Sequence, residues 1–176
     1  MMKKCLIVVD YQKDFMDGVL GFPKAQALDE KIAAKIAEYR AEKGDVIFTM
    51  DTHEENYLET QEGRKLPVPH CIRGTAGWQL YGKTAAAFQQ GDLLIEKPSF
   101  PSYELGAVLR EKGYDAVELA GVVTDICVLS NAVIAKAALP EAEICIDAAC
   151  TAAVSEEMRQ KTFDVMGSLQ IEVRNR

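Results

Sequence analysis

Gly121-Val-Val-Thr-Asp-Ile-Cys-Val-Leu-Ser-Asn-Ala132 is the stretch whose pattern decides the fold. It opens as the end of an apolar run, Ala116 to Gly121, and passes directly into a helical pattern. Thr124 and Asp125 are helix-capping residue types, which predicts Cys127 in the first helical turn. A thiol there feels the positive end of the helix dipole, which lowers its pKa and favours the thiolate. A strand, a tight turn and a helix presenting one Cys is a common mounting for a covalent nucleophile. An inert buried Cys fits the same pattern, because free Cys is among the most buried residue types.

Outward from this stretch the chain repeats the strand-then-helix motif. Cys5-Leu-Ile-Val-Val9 is a continuous apolar run, suited to a strand buried on both faces, and it stops at Asp10. A loop punctuated by Gly and Pro, Asp17 to Pro23, leads to a helix over Leu28 to Glu42, in which Ile32, Ile36 and Tyr39 share a face. Val46 to Met50 reads as the second strand, ending at Asp51, and Leu93 to Ile95 as the third, ending at Glu96-Lys97. About 40 residues separate those two strands, more than a plain connection uses, so a functional loop is expected there. Trp78 to Gln89 is the expected crossover helix. Beyond it the pattern gives a helix near Tyr103 to Lys112, a strand Val117 to Ala120, the opening stretch with a helix to about Ala138, and a strand Glu143 to Ile146 ending at Asp147. Ser155 with Glu157 and Met158 opens a last helix to about Gly167, and Leu169 to Val173 is the sixth strand.

This alternation predicts one α/β domain over residues 1–176, a three-layer αβα sandwich on a six-stranded, mainly parallel sheet of order 3-2-1-4-5-6. Asp10, Asp51, Lys97, Cys127 and Asp147 all fall at strand C-terminal ends. That edge carries the ligand crevice of an open parallel sheet, at the point where strand order reverses.

The chain has 176 residues, enough to bury roughly 70% of its unfolded surface. A net charge of −7 argues against a nucleic-acid surface or an anionic membrane partner. No apolar run approaches the ~18 residues that span a bilayer, and the run after Met-Met-Lys-Lys is too short for a signal-peptide core. Five Cys without a CxxC spacing suggest neither a disulfide framework nor a zinc ribbon, so a reducing, cytoplasmic setting is expected.

Three segments together, Val8-Val-Asp-Tyr-Gln-Lys-Asp-Phe15, Glu96-Lys-Pro-Ser-Phe100 and Gly121 to Val128, resemble the isochorismatase-like cysteine hydrolases. The likeness covers essentially the whole chain and implies a catalytic triad of Asp10, Lys97 and Cys127. The residue chemistry agrees: a fixed ammonium beside the thiol favours thiolate, and a carboxylate accepts the proton and returns it to a leaving amine. The resemblance also implies a cis peptide between Val122 and Val123, with the backbone N–H groups of Val123 and Cys127 facing an oxyanion.

The only two His lie in the long loop, as Asp51-Thr-His53 and Val68-Pro-His70-Cys71. An Asp, two His and a nearby Glu suit a divalent metal such as zinc. This pattern resembles the nicotinamidase branch of the family, which implies Asp51, His53 and His70 as metal ligands, Glu62 as a further one by approximate position, and a metal that holds the substrate's ring nitrogen. Cys71 is a minor alternative ligand. Phe15 and Tyr103 are candidate substrate contacts, whereas Trp78 and Phe100 read as core packing; Asp14 and Asp125 are supporting groups.

The resulting expectation is hydrolysis of a primary carboxamide through a thioester, with nicotinamide going to nicotinate and ammonia for NAD salvage, in a chain that self-associates. The rivals are another amide or carbamoyl hydrolase of the family, and a binding or redox-sensing module that uses the same edge. Vinyl-ether hydrolysis of isochorismate is disfavoured by the presence of Cys127, since that chemistry needs no thiol.

Overall fold

Successive residues of the first strand enter opposite cores. Cys5, Ile7 and Val9 join one apolar cluster, and Leu6 and Val8 join the other. All five are fully buried, as a strand in the middle layer of a sandwich must be. The computed structural model describes residues 2–176; Met1, the first residue of the expected domain, lies outside the described residues.

The strands are β1 (Lys4–Val9), β2 (Asp45–Asp51), β3 (Leu93–Lys97), β4 (Ala116–Val122), β5 (Glu143–Ala152) and β6 (Glu172–Arg174). The helices are α1 (Lys13–Met16), α2 (Pro23–Gln26), α3 (Asp29–Ala41), α4 (Gln61–Lys65), α5 (Gly82–Ala86), α6 (Tyr103–Lys112), α7 (Leu129–Ala138) and α8 (Glu156–Ser168). The sheet order is β3-β2-β1-β4-β5-β6, with every neighbouring pair parallel. Leu105 and Leu109 of α6, Ala132 and Ala135 of α7, and Phe163 and Met166 of α8 cover one face. Phe15 and Met16 of α1 and Ile32, Ile36 and Tyr39 of α3 cover the other. The expected three-layer α/β sandwich and its strand order are therefore present.

Local chemistry explains the element ends. Ser102 caps α6 by accepting from Leu105 N–H at 3.1 Å, and Ser155 caps α8 by accepting from Met158 N–H at 3.2 Å. Gly121 has φ +117°, and a Cβ there would lie 2.1 Å from the Val9 carbonyl oxygen. Only glycine lets β4 come this close to the end of β1, at the strand reversal.

Three expectations change. The Trp78–Gln89 stretch forms only the single short helix α5, and the rest of that connection is tied down by side chains. Trp78 Nε1 donates to Thr52 Oγ1 at 2.9 Å, and the Asp29 carboxylate accepts from the N–H groups of Lys83 and Thr84 at 2.7 and 2.9 Å. Asp147 lies inside β5, which continues to Ala152. Cys127 sits in a π turn, Thr124–Val128, ahead of α7, with Val128 N–H donating to Val123 O at 3.2 Å. Thr124 does not cap this turn, because its hydroxyl is 2.8 Å from that of Thr151.

Candidate active site

Four successive strand ends supply four polar groups: Lys97 closes β3, Asp51 closes β2, Asp10 follows β1 and Cys127 follows β4. Parallel register brings them together. Lys97 Nζ lies 2.6 Å from Asp10 Oδ2, 3.6 Å from Cys127 Sγ and 3.6 Å from Asp51 Oδ1, and donates to the Ser99 carbonyl at 3.1 Å. The Asp10 carboxylate is oriented from its other side by Thr49, whose hydroxyl donates to Oδ1 at 2.6 Å. Asp10 has φ +48°, a left-handed conformation that Asp tolerates better than most residues. The Val122–Val123 peptide is cis.

Protonation follows from burial. Desolvation pushes the Asp10 carboxyl above its ordinary value, Lys97 draws it back and Asp51 adds to the rise. Burial disfavours the Lys97 ammonium, but the charges around it, Asp10 foremost, outweigh that and keep it protonated. Burial and then the Asp10 charge push the Cys127 thiol well above its ordinary value, against the pull of Lys97. This reverses the expected dipole-lowered pKa, because in a dry site desolvation outweighs the dipole of one turn. The direction favours the protonated thiol, so a base close to the sulfur would serve the attack.

Beside this trio lies a second group. Asp51 Oδ2 is 3.2 Å from His53 Nε2 and 3.4 Å from His70 Nε2. Glu62 Oε1 is 3.7 Å from His53 Nε2 and 3.8 Å from His70 Nε2. Four-coordinate zinc, with bonds of about 2.0–2.2 Å, sets its ligand atoms roughly 3.3–3.6 Å apart. The Asp51 oxygen lies close to that spacing from both imidazole nitrogens, and the three ligand atoms form a cluster within 4.8 Å, with Glu62 at its margin. His70 Nδ1 is 2.8 Å from the Val68 carbonyl and donates to it, which leaves Nε2 as a lone pair facing a carboxylate oxygen. Such a pair is held either by a proton, which against the cost of burial Asp51 draws onto His70, or by a cation between the two atoms. Cys71 is buried but stands apart from this cluster.

A cavity of about 270 Å³ is lined by Cys127 and Val123 together with Asp51, His70 and Glu62. That is below the usual 300–1,000 Å³ of sites for drug-sized ligands, so it suits a small ring. Phe15, Phe22 and Phe100 supply aromatic walls, and the lining residues include no Lys or Arg. Phe15 lines the cavity, with its ring edge-on to His70 at 5.7 Å between centroids. Phe100, read from sequence as core, belongs to this wall. Tyr103 does not reach the cavity: at the start of α6 it points outward and is 95% exposed, so it is removed from the substrate contacts. Trp78 packs against the second core and is bonded to Thr52.

Sequence reasoning missed the side chains that hold this arrangement. Asn131 donates to the carbonyls of Cys127 at 2.8 Å and Phe100 at 3.0 Å, and accepts from Ser102 N–H at 3.0 Å, joining the thiol turn to the aromatic wall. Thr49 had one legible sign, a hydroxyl in the middle of a strand that is otherwise apolar and needs a partner when buried. Asn131 had none.

Comparison with known proteins places the chain. Residues 4–175 match the Isochorismatase domain. An uncharacterized isochorismatase family protein, PncA, of Bacillus subtilis (strain 168) is 36% identical over 75% of this chain and 78% of its own length. The nicotinamidase/pyrazinamidase of Mycobacterium tuberculosis is 28% identical over 94% of this chain and 99% of its own. The crystal structure of the pyrazinamidase/nicotinamidase of Streptococcus mutans UA159 superposes with a TM-score of 0.87 at 31% identity, covering 97% of this chain and 99% of that one.

Proposed function

The chain belongs to the isochorismatase family, and within it we propose an amidohydrolase that converts the primary carboxamide of a small neutral ring, nicotinamide first, to carboxylate and ammonia. The observation that carries this reading is a cavity lined by Cys127 together with Asp51, Glu62 and His70, with Lys97 and Asp10 buried directly behind the thiol.

In the proposed cycle, Asp10 takes the Cys127 proton as sulfur attacks the amide carbon. Asp10 suits this role because burial already raises its proton affinity. The oxyanion is met by the backbone N–H groups of Val123 and Cys127; one such donor is typically worth about 10²–10³ in rate. Asp10 then gives its proton to the leaving nitrogen, ammonia departs and a thioester remains. Water, deprotonated by Asp10, hydrolyses the thioester and returns the proton to sulfur. Lys97 stays charged throughout, so Asp10 never stands as an uncompensated buried anion. Asp51, His53 and His70, with Glu62 alongside, are the residues for a divalent ion, zinc by donor type, which when bound supplies a Lewis-acid anchor for a ring nitrogen.

Cavity charge supports a neutral substrate. Its ionisable lining groups other than the thiol and imidazole are acids, Asp51, Glu62 and Asp125, and the one ammonium nearby is already paired with Asp10. A dianion such as isochorismate, or a carbamoyl compound bearing a free carboxylate, finds no Lys or Arg side chain on the cavity lining to meet it. Ammonia and nicotinate release by wild type and Cys127→Ala tests the proposal. The expected loss is at least about 10⁴-fold, with an acyl adduct on Cys127 of the wild type detectable by rapid-quench mass spectrometry. No ammonia from wild type with nicotinamide, pyrazinamide or any of a panel of neutral amides would sink it.

A further inference from the structure

The segment that supplies Asp10 also grips the imidazole–carboxylate cluster. Gln12 is fully buried, and its side chain spends all its bonds on the long loop and its root. Nε2 donates to the Asp51 carbonyl at 2.9 Å and to the Trp78 carbonyl at 2.8 Å, and Oε1 accepts from Asp51 N–H at 2.8 Å. Both backbone polar groups of Asp51 are therefore held by one side chain. Two residues on, Asp14 Oδ2 accepts from Cys71 N–H at 2.7 Å, the peptide that follows His70. Asp14 N–H donates to the Gly77 carbonyl at 3.0 Å. A Cβ at Gly77 would lie 2.2 Å from both Asp14 carboxylate oxygens, so glycine is what lets the loop come this close. Cys71 has φ +47°, a conformation that is strained for a non-glycine residue and persists only where its surroundings hold it.

From these contacts we infer that Gln12 and Asp14 are positioning residues for the Asp51–His53–His70 centre, acting through the backbone at Asp51 and at His70–Cys71. This rests on the reading of that centre as a divalent-ion site. Residues 10 to 14 thus act as a rigid template. Asp10 faces the thiol, Gln12 sets one ligand, Asp14 sets the loop bearing another, and the separation between nucleophile and ion is fixed by five consecutive residues. A carboxamide carbon and a ring nitrogen lie a set distance apart in a rigid substrate, so the template governs which rings can reach both.

Zinc binding by the metal-free protein, measured by competition with a chelator, tests this without reference to turnover. Gln12→Met keeps the volume and removes all three bonds. Its zinc Kd is expected to rise about 10–100-fold, the usual range when a group supporting a ligand is lost. The cobalt-substituted absorption spectrum is expected to change shape, while alkylation of Cys127 by iodoacetamide keeps its wild-type rate. If Gln12→Met does not fold, Gln12→Glu retains the acceptor for Asp51 N–H and loses both donors, and is read the same way. A lower melting temperature with an unchanged zinc Kd and cobalt spectrum would show mere structural support and overturn the inference. Wild type that binds no zinc would overturn the ion-site reading beneath it, a result distinguishable from the first.

Discussion

Two lysines in this molecule sit between pairs of buried acids, and they differ in what lies next to them. Lys97 Nζ is 2.6 Å from Asp10 and 3.6 Å from Asp51; Lys35 Nζ is 2.6 Å from Glu118 and 2.9 Å from Asp147. Around Lys35 every acid is also satisfied by neutral partners. The Tyr39 hydroxyl donates to Glu118 at 2.8 Å, and Asn175 Nδ2 and Ala149 N–H donate to Asp147 at 3.0 and 2.8 Å. The acids at Lys97 have neutral partners too, Thr49 on Asp10 and the imidazoles beside Asp51, but Lys97 also lies 3.6 Å from a thiol that lines a cavity. Burial of charge alone therefore says little about function. A buried ion pair becomes chemistry when space for a ligand and a nucleophile share its boundary.

The comparison can be broken by exchanging acids for amides in each cluster. Asp10→Asn removes the proton acceptor, and nicotinamide turnover is expected to fall about 10²–10⁴-fold. Glu118→Gln is expected to leave turnover per folded molecule unchanged. Equal losses in both, measured as kcat/KM, would erase the distinction.

Stability sharpens it next. Lys35→Met leaves Glu118 and Asp147 buried without their cation, at an expected cost of about 3 kcal/mol in urea unfolding. Its kcat/KM, measured on the folded fraction, is expected to match wild type.

The smallest effect is a pH slope. Although burial opposes it, hydrogen bonds from Lys35 and Asn175 hold the Asp147 carboxyl below its ordinary value. A carboxyl depressed in the folded state adds stability above its unfolded pKa, near 3.9, and loses it as pH falls through the folded value. Wild type is thus expected to lose stability more steeply than Asp147→Asn below about pH 4, in denaturation series run from about pH 5 to pH 2.5. Parallel curves would show that the Lys35 cluster contributes nothing through Asp147.

Asp147 also shows how far pattern reading goes. Its sequence context, an apolar run followed by Asp, is the same as that of Asp10 and Asp51. The structure carries β5 on to Ala152 and turns Asp147 to Lys35 beneath α3. Tyr103 fails in the opposite way. It follows the Glu96 to Phe100 segment closely, yet the helix cap at Ser102 turns it outward, and Phe100 stands at the cavity instead. Gln12 stood in the Val8 to Phe15 segment without a role, and Asn131 left no trace, because much of a buried amide's worth lies in carbonyls and N–H groups distant in the chain.

The sequence by itself determined the strand order of the chemistry: Asp10, Asp51, Lys97 and Cys127 stand where apolar runs stop. Those stops are local, since a run buried on both faces disfavours a polar side chain that lacks a partner, and Glu118 and Asp147 stay within their strands by pairing with Lys35. Tertiary structure alone decided which strand-end groups meet and in which direction burial moves their proton affinities. Both depend on register and on the exclusion of water, which raised the thiol that a helix dipole was expected to lower.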